Sequence, residues 1–293
     1  MPKKPKVSII LVYYQNIKDL FECLYSIFKN HSKQAVEVIV VNNSTEKEFE
    51  RKIAVGFPIV KIVNSKVNIG FGAGQNLGVK KAIGEYLFIL NPDTKLFDKT
   101  IDRLTRYLDC HPNVGIVAPT LVDKNNKKYS IQGTSELNPL TGIVCLSFMN
   151  KLFPNNPISR KYWLKDVDRK EIREVDFVQG SAFMIRKRLF NLLGGFDEQF
   201  FLYFEDNDLC KRVVDKGKKI AILPKANVMH NWGGSTPKTK KIRKIFNQSR
   251  YKYFMKHYGI VWALTVEFFA RLSKEKAITL FFLLFLILFL FKL

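Results

Sequence analysis

Paired cysteines are missing from this chain. Its four, Cys23, Cys110, Cys145 and Cys210, are scattered with no CxxC spacing. They suggest neither a zinc site nor a disulfide framework, and a reduced, cytosolic setting fits. Acidic residues are also short: 26 Asp+Glu stand against 48 Lys+Arg, a formal charge of +22. Such an excess calls for an anionic partner: nucleic acid, an acidic membrane surface or phosphorylated substrates. No internal repeat and no recognised nucleic-acid-binding motif is present, and the basic residues gather near the C-terminus instead. No Gly-Lys-Ser/Thr follows the glycine-rich stretch at 70–74, so it is not a P-loop. The first residues, Met1-Pro-Lys-Lys-Pro-Lys6, mimic a signal n-region, yet the apolar run behind them is short and lacks a small-residue cleavage site. It reads as a buried strand.

What is present is a large apolar reserve, 47% hydrophobic residues with 25 Phe in 293 positions, enough for one large domain or a domain with an appendage. Buried strands are expected at Val7–Val12, Val36–Val41, Ile59–Val63 and Tyr86–Leu90, and helices at Ile17–Phe28, Gly70–Lys81 and Leu96–Leu108. Strands alternating with helices imply an α/β, Rossmann-like, mostly parallel doubly wound sheet. Ligands bind beyond the carboxyl ends of such strands, where Asn42, Asn43, Asn91 and Asp93 fall. The second half is less regular. Strands are expected at Val114–Val117, Ser181–Arg186 and Lys219–Leu223, a polar turn at Asp123–Lys128, and a mobile substrate loop over Asn138–Asp168. We divide the chain into residues 1–236, with a donor half to about 120 and an acceptor half beyond it, and a C-terminal region at 237–293.

Three constellations carry chemistry. Glu205, Asp206 and Asp208 follow the aromatic run Phe200, Phe201, Tyr203 and Phe204. Acids crowded against apolar rings repel one another and lose solvent, which raises their pKa and suits them to accept a proton. Asp206 or Asn207 also reads as the cap of a helix running through Leu209, Cys210, Val213 and Val214, with acids favoured in its first turn. Asn68-Ile-Gly-Phe-Gly-Ala-Gly-Gln-Asn76 alternates three glycines ahead of a helix. Bare N–H groups there can approach phosphate or sugar oxygens, and a tight turn is the plainer alternative. Asn91-Pro-Asp93-Thr94 ends a buried strand, where a carboxylate can hold a hard divalent cation. His230, just after a strand and before the glycine-containing 231–236 stretch, is a candidate second ligand or a structural hydrogen bonder.

The C-terminus differs again. From Ala277 to Phe291 only Thr279 is not apolar, slightly short for a full span. Ahead of it lie Lys238, Lys240, Lys241, Arg243, Lys244 and Arg250 with interleaved Tyr251 and Tyr253. Basic residues beside an apolar anchor fit the anionic cytoplasmic leaflet, and a helical membrane-association segment is expected.

Taken in order, Val7-Ser-Ile-Ile, Val40-Val-Asn-Asn-Ser44, the Asn68–Asn76 stretch, Leu90-Asn-Pro-Asp-Thr94, Gly194-Gly-Phe-Asp197, Phe201-x-Tyr-x-Glu-Asp-x-Asp-Leu209 and His230 resemble family 2 glycosyltransferases of the GT-A fold, most closely the rhamnosyltransferase-like branch. The resemblance runs from about Val7 to Ser235. It implies an inverting transfer from a nucleotide-diphosphate sugar, with Mg²⁺ or Mn²⁺ on the diphosphate. By the same resemblance Asp206 is the general base with Glu205 beside it, and Asp93 and His230 hold the metal. Tyr13, Asn42, Asn68, Gly70, Gly72, Asn76, Asn91, Asp93 and Gly180 are implied to line the donor site. Asn42 stands where the family usually has Asp, and Tyr13-Tyr14-Gln15 where it often has Asn-Tyr-Asn. The anchor points to a lipid-linked or polysaccharide acceptor at the cytoplasmic membrane face, with no nucleic acid as partner. An inactive sugar-binding relative and a basic nucleic-acid binder are the rival readings.

Overall fold

The computed structural model describes residues 4–30, 32–129, 131–231 and 239–272. In chain order the first half contains β1 (Val7–Tyr13), α1 (Ile17–Lys29), β2 (Val36–Asn42), α2 (Phe49–Gly56), β3 (Lys61–Asn64), α3 (Phe71–Val79), β4 (Tyr86–Leu90), β5 (Thr94–Leu96) and α4 (Thr100–Cys110). The second half contains β6 (Val114–Val122), α5 (Pro139–Cys145), α6 (Phe148–Leu152), α7 (Pro157–Tyr162), β7 (Arg173–Val175), β8 (Ala182–Arg186), α8 (Lys187–Leu192), α9 (Glu205–Asp215), β9 (Lys219–His230), α10 (Lys240–Tyr258) and α11 (Ile260–Arg271).

One sheet runs through the molecule in the order β3-β2-β1-β4-β8-β6-β9-β5, with β7 also paired to β9. The β3-β2-β1-β4 block is parallel throughout. Beyond it β8 runs antiparallel to both β4 and β6, β6 and β9 are parallel, and β5 and β7 oppose β9. The expected parallel sheet is therefore confined to the N-terminal half, and the whole is mixed. Both faces are buried, which explains the unbroken apolar runs. Ile9 and Leu11 of β1 and Val38 and Val40 of β2 face one core cluster, while Ile10 and Ile39 face the other.

Several expectations need correction. The Asn138–Asp168 stretch is not a structureless loop: it holds α5, α6 and α7. Asn138, Ser147 and Asn156 cap them through their side chains, with Pro139 and Pro157 opening α5 and α7. Val144, Cys145 and Tyr162 from this stretch are buried in a third core cluster. Leu96 belongs to β5 and not to a helix, because β5 pairs with β9. The strand expected at 219–223 continues to His230 as one strand, β9, whose register against β6 slips between Pro119 and Thr120. The helices α2 and α8 and the strand β7 had no expected counterpart.

The two C-terminal helices meet at Gly259 (φ 85°) and close the third cluster, where Tyr253, Phe254, Ala263 and Val266 pack on Leu137, Val144, Phe200 and Phe204. Among the described residues no helix is long and apolar enough to cross a membrane. The apolar run at 277–291, Lys238 and the 232–236 stretch lie outside the described residues.

Candidate active site

The carboxyl ends of β1, β2 and β4 form one rim, and Asn43 organises it. Its Nδ2 donates to Asn68 Oδ1 and to the Gly70 carbonyl, each at 3.0 Å, while its Oδ1 accepts from Ile69 N (3.0 Å) and Ser65 Oγ (2.9 Å). Asn68 Oδ1 also accepts from Gly70 N at 3.0 Å. Gly70 sits at φ 91°, and a Cβ there would collide with the Phe201 carbonyl. The glycines at 70 and 72 thus let the loop before α9 and Phe196 close onto the start of α3. Phe71 N donates to the Phe201 carbonyl at 3.0 Å.

A cavity of about 340 Å³ opens on this rim. Tyr14, Gln15, Asn43, Asn68, Gly70 and Asn91 are among its lining residues. Phe201 and Leu202 line it too, as do Thr239, Lys241, Ile242 and Ile245 from the start of α10. Three of the residues expected to bind donor, Asn68, Gly70 and Asn91, meet here. Others sit apart from the opening. Tyr13 is buried, stacked on Phe49 at 4.5 Å, with its hydroxyl donating to Glu46 Oε2 at 2.7 Å. Burial, then Glu46, raises its phenol above the ordinary value. Asn76 brackets the Gly194–Asp197 turn, accepting from Phe196 N and donating to the Phe196 carbonyl, both at 2.9 Å. Asn42 Oδ1 accepts from Ser44 N (3.1 Å) and Ser44 Oγ (2.7 Å), and its Nδ2 donates to Asn64 Oδ1 at 3.0 Å.

Asp93 and His230 meet because β5 pairs with β9. The register sets Thr94 opposite His230, so the residue before one strand lies beside the end of the other. His230 Nε2 is 3.4 Å from Asp93 Oδ1, and their side chains are only 11% and 2% exposed. One carboxylate and one imidazole at this spacing suit a divalent cation of the Mg²⁺ or Mn²⁺ kind. Among the described residues no third His, Cys, Asp or Glu joins them as a metal-holding group, so a cation there would need further ligands from elsewhere.

The acids after the aromatic run form the first turn of α9. Asp206 Oδ2 accepts from Gly180 N at 2.9 Å, and Oδ1 accepts from Asn207 N at 2.9 Å. Burial raises its carboxyl above the usual range, and these N–H groups oppose the shift. Glu205, beside it, is raised well above the ordinary value by burial and then by the Asp206 charge. Asp208 goes the other way. Burial would raise it, but His257, Arg212 and Lys256 hold it down at about 2. Asp206 and Asn207 lie inside the first turn of α9 and neither caps it: Phe204 is the N-cap residue and no side chain bonds there. Gly180 immediately precedes Ser181, whose carbonyl accepts from Asn91 N at 2.8 Å. This chain of contacts brings the α9 start and the end of β4 to one edge of the sheet.

Sequence reasoning placed Asn43 at a ligand-binding strand end, as its position suggested, but passed over Tyr14, Gln15 and Phe71 as lining residues. Lys241, Ile242 and Ile245 carried no signal as site residues, since no local pattern shows that a downstream helix folds back over the rim.

The family model described as Glycosyl transferase family 2 matches residues 8–194. Among curated proteins, the N-acetylglucosaminyl-diphospho-decaprenol L-rhamnosyltransferase of Mycobacterium tuberculosis is 24% identical over 216 residues, covering 70% of this chain and 69% of its own. The dTDP-rhamnosyl transferase RfbF of Shigella flexneri is 22% identical over 234 residues, covering 79% and 70%. Among solved structures, GalNAc-T7 with UDP, GalNAc and Mn²⁺ superposes with a TM-score of 0.58 at 15% identity, over 87% of this chain and half of that one. The mannosyltransferase PcManGT of Pyrobaculum calidifontis, with GDP-Man and Mn²⁺, gives 0.55 at 16% identity, over 98% and 81%. At these identities the superpositions bear on architecture alone: the mixed α/β sheet is GT-A-like.

Proposed function

Since this chain belongs to glycosyl transferase family 2 and is a glycosyltransferase, we propose that it is an inverting enzyme with Asp206 as its general base. It takes a sugar, rhamnose or another hexose, from a nucleotide-diphosphate donor and passes it to a lipid-linked or polysaccharide acceptor at the cytoplasmic membrane face. The observation that carries this reading is the Asp206 carboxylate, raised by burial and fixed by Gly180 and Asn207 at the mouth of α9.

An acceptor hydroxyl is a poor nucleophile until a carboxylate takes its proton as the new C–O bond forms. Asp206 suits that role, because a raised pKa gives a stronger base and two N–H donors fix its direction. Glu205 is pushed upward as well, by burial first and then by the Asp206 charge beside it. Attack on the side opposite the leaving diphosphate inverts the anomeric carbon. The asparagines of the rim offer neutral donors and acceptors to the nucleotide sugar. A Mg²⁺ or Mn²⁺ held by Asp93 and His230 would offset the charge that develops on the diphosphate. The rhamnosyltransferase names of two relatives favour a deoxyhexose donor, and the diphospho-decaprenol in one of them favours a lipid-linked acceptor.

The test starts with a panel of UDP-, dTDP- and GDP-sugars screened by thermal shift with Mn²⁺, followed by turnover with lipid-linked and soluble acceptors. Asp206→Asn should lower kcat by at least about a thousandfold, within the range for a general base, while donor affinity by calorimetry stays within about threefold. Turnover near wild type in that variant would remove Asp206 from the role.

A further inference from the structure

Besides packing on α5 and α11, α10 places a line of residues against one short segment, 197–208, that leads into α9. Phe246 packs edge-on against Tyr203 and Phe204, with ring centroids 5.4 and 5.2 Å apart. One turn later Ser249 Oγ donates to the Leu202 carbonyl at 2.8 Å. Lys252 Nζ then reaches the Gln199 carbonyl at 2.6 Å, and Tyr253 lies against Phe204. At the end of the helix Lys256 Nζ bridges two acids, Asp197 at 2.7 Å and Asp208 at 2.6 Å. His257 Nε2 donates to Asp208 at 2.8 Å. Asp208 is fully buried and also pairs with Arg212 on its own helix.

This segment needs external support. Tyr203 and Phe204 both adopt left-handed backbone angles, φ 68° and 66°, immediately before α9 begins. Each such residue costs on the order of 1 kcal/mol or more and persists only where its surroundings over-determine it. Here α10 supplies those surroundings. Asp206 is two residues past the strained pair and two before the clamped Asp208, so its direction depends on both.

We propose that Lys256 and His257 are positioning residues: through Asp208 and Asp197 they fix the first turn of α9 and thereby aim the Asp206 carboxylate. The inference rests on Asp206 being the base. It gives the Gly194–Asp197 motif and Asp208 a shared purpose, as the two anchor points of one cross-brace.

The full-length enzyme is assayed with dTDP-rhamnose, or the donor that the nucleotide-sugar panel selects, and its acceptor. Lys256→Met and His257→Ala should each lower kcat by about tenfold, and the double variant by about a hundredfold, the cost expected of a reacting group displaced by around 1 Å. Donor KM should stay within about twofold, because the rim of β1, β2 and β4 does not touch these residues. His257→Gln, which keeps an N–H donor, should hold kcat within about threefold of wild type. Undiminished kcat in the folded variants overturns the proposal, and so does a donor KM that rises in step with the fall in kcat. If the double variant does not fold, Lys256→Met decides alone, since that ammonium is part-exposed. Asp206→Asn runs beside them. If it keeps its turnover, the base assignment itself has failed; if it is dead while the α10 variants are unaffected, only the cross-brace has failed.

Discussion

Asp206 is subject to opposing influences and, since it is the proposed base, their balance would set the acid limit of activity. Burial lifts its carboxyl above the ordinary aspartate value, while the N–H groups of Gly180 and Asn207 favour the charged form. The net direction is upward. A base must be ionised to accept a proton, so activity is lost as pH falls through the raised value. The acid limb of kcat/KM should therefore lie above the unperturbed aspartate range of about 3.9. A pH–rate profile flat down to that value would show that the group controlling the step is not a desolvated carboxylate. At the same scale, residues were unequally legible in the sequence. The acid cluster, Asp93 and His230 stood out by type and context. Tyr13 did not reveal that its ring stacks inward on Phe49 while Tyr14, its neighbour, faces the opening. Alternation along a strand gives two faces, and nothing local says which one meets the ligand.

Among the elements, α9 is the most heavily tied. Its Asp208 is held at about 2 by His257, Arg212 and Lys256 despite its burial. A carboxyl depressed in the folded chain contributes stability that is fully present above its unfolded value, near 3.9, and is withdrawn as pH drops toward 2. That contribution is on the order of 2 kcal/mol. Urea unfolding at steps between pH 6 and pH 2.5 should show the wild type weakening in this window, with Asp208→Asn less stable at the outset and flatter below pH 4. Parallel slopes would assign the acid sensitivity to other groups. The parallel block β3-β2-β1-β4 was readable because each strand is a bounded apolar run. The mixed half was not. β5 and β7 are three residues each, and they exist because β9 offers them a partner. Pairing of this kind is a tertiary choice that overrides local propensity. Proline hid α5 and α7 as well: Pro139 and Pro157 read as breakers, yet both occupy the first helical position, where no N–H is needed.

At the scale of the whole molecule, the last described helices combine basic residues with exposed apolar ones. The helix α11 presents Val261, Leu264 and Phe268 to solvent at 69%, 57% and 52% exposure, at the spacing of a single helical face. The sequence then continues into the apolar run at 277–291, and +22 of net charge favours an anionic surface. Sedimentation with phosphatidylcholine vesicles containing about one-third phosphatidylglycerol should capture the full chain at low salt, and removal of residues 273–293 should weaken capture by at least about tenfold. Vesicle binding that is equal with and without those residues would assign the attraction to the basic helix instead. The helix α10 lines the cavity with its first residues and reaches Asp208 of α9 with Lys256 near its end.

That arrangement has a consequence for the order in which the protein comes alive. On the ribosome, the rim built by β1, β2 and β4 is complete long before Phe246 to His257 emerge. A nascent chain that has built this rim still lacks both the α10 residues that line the cavity and the contacts that steady the turn at Tyr203 and Phe204. Nucleotide sugar should therefore go unconsumed until α10, the helix that follows β9, has left the exit tunnel.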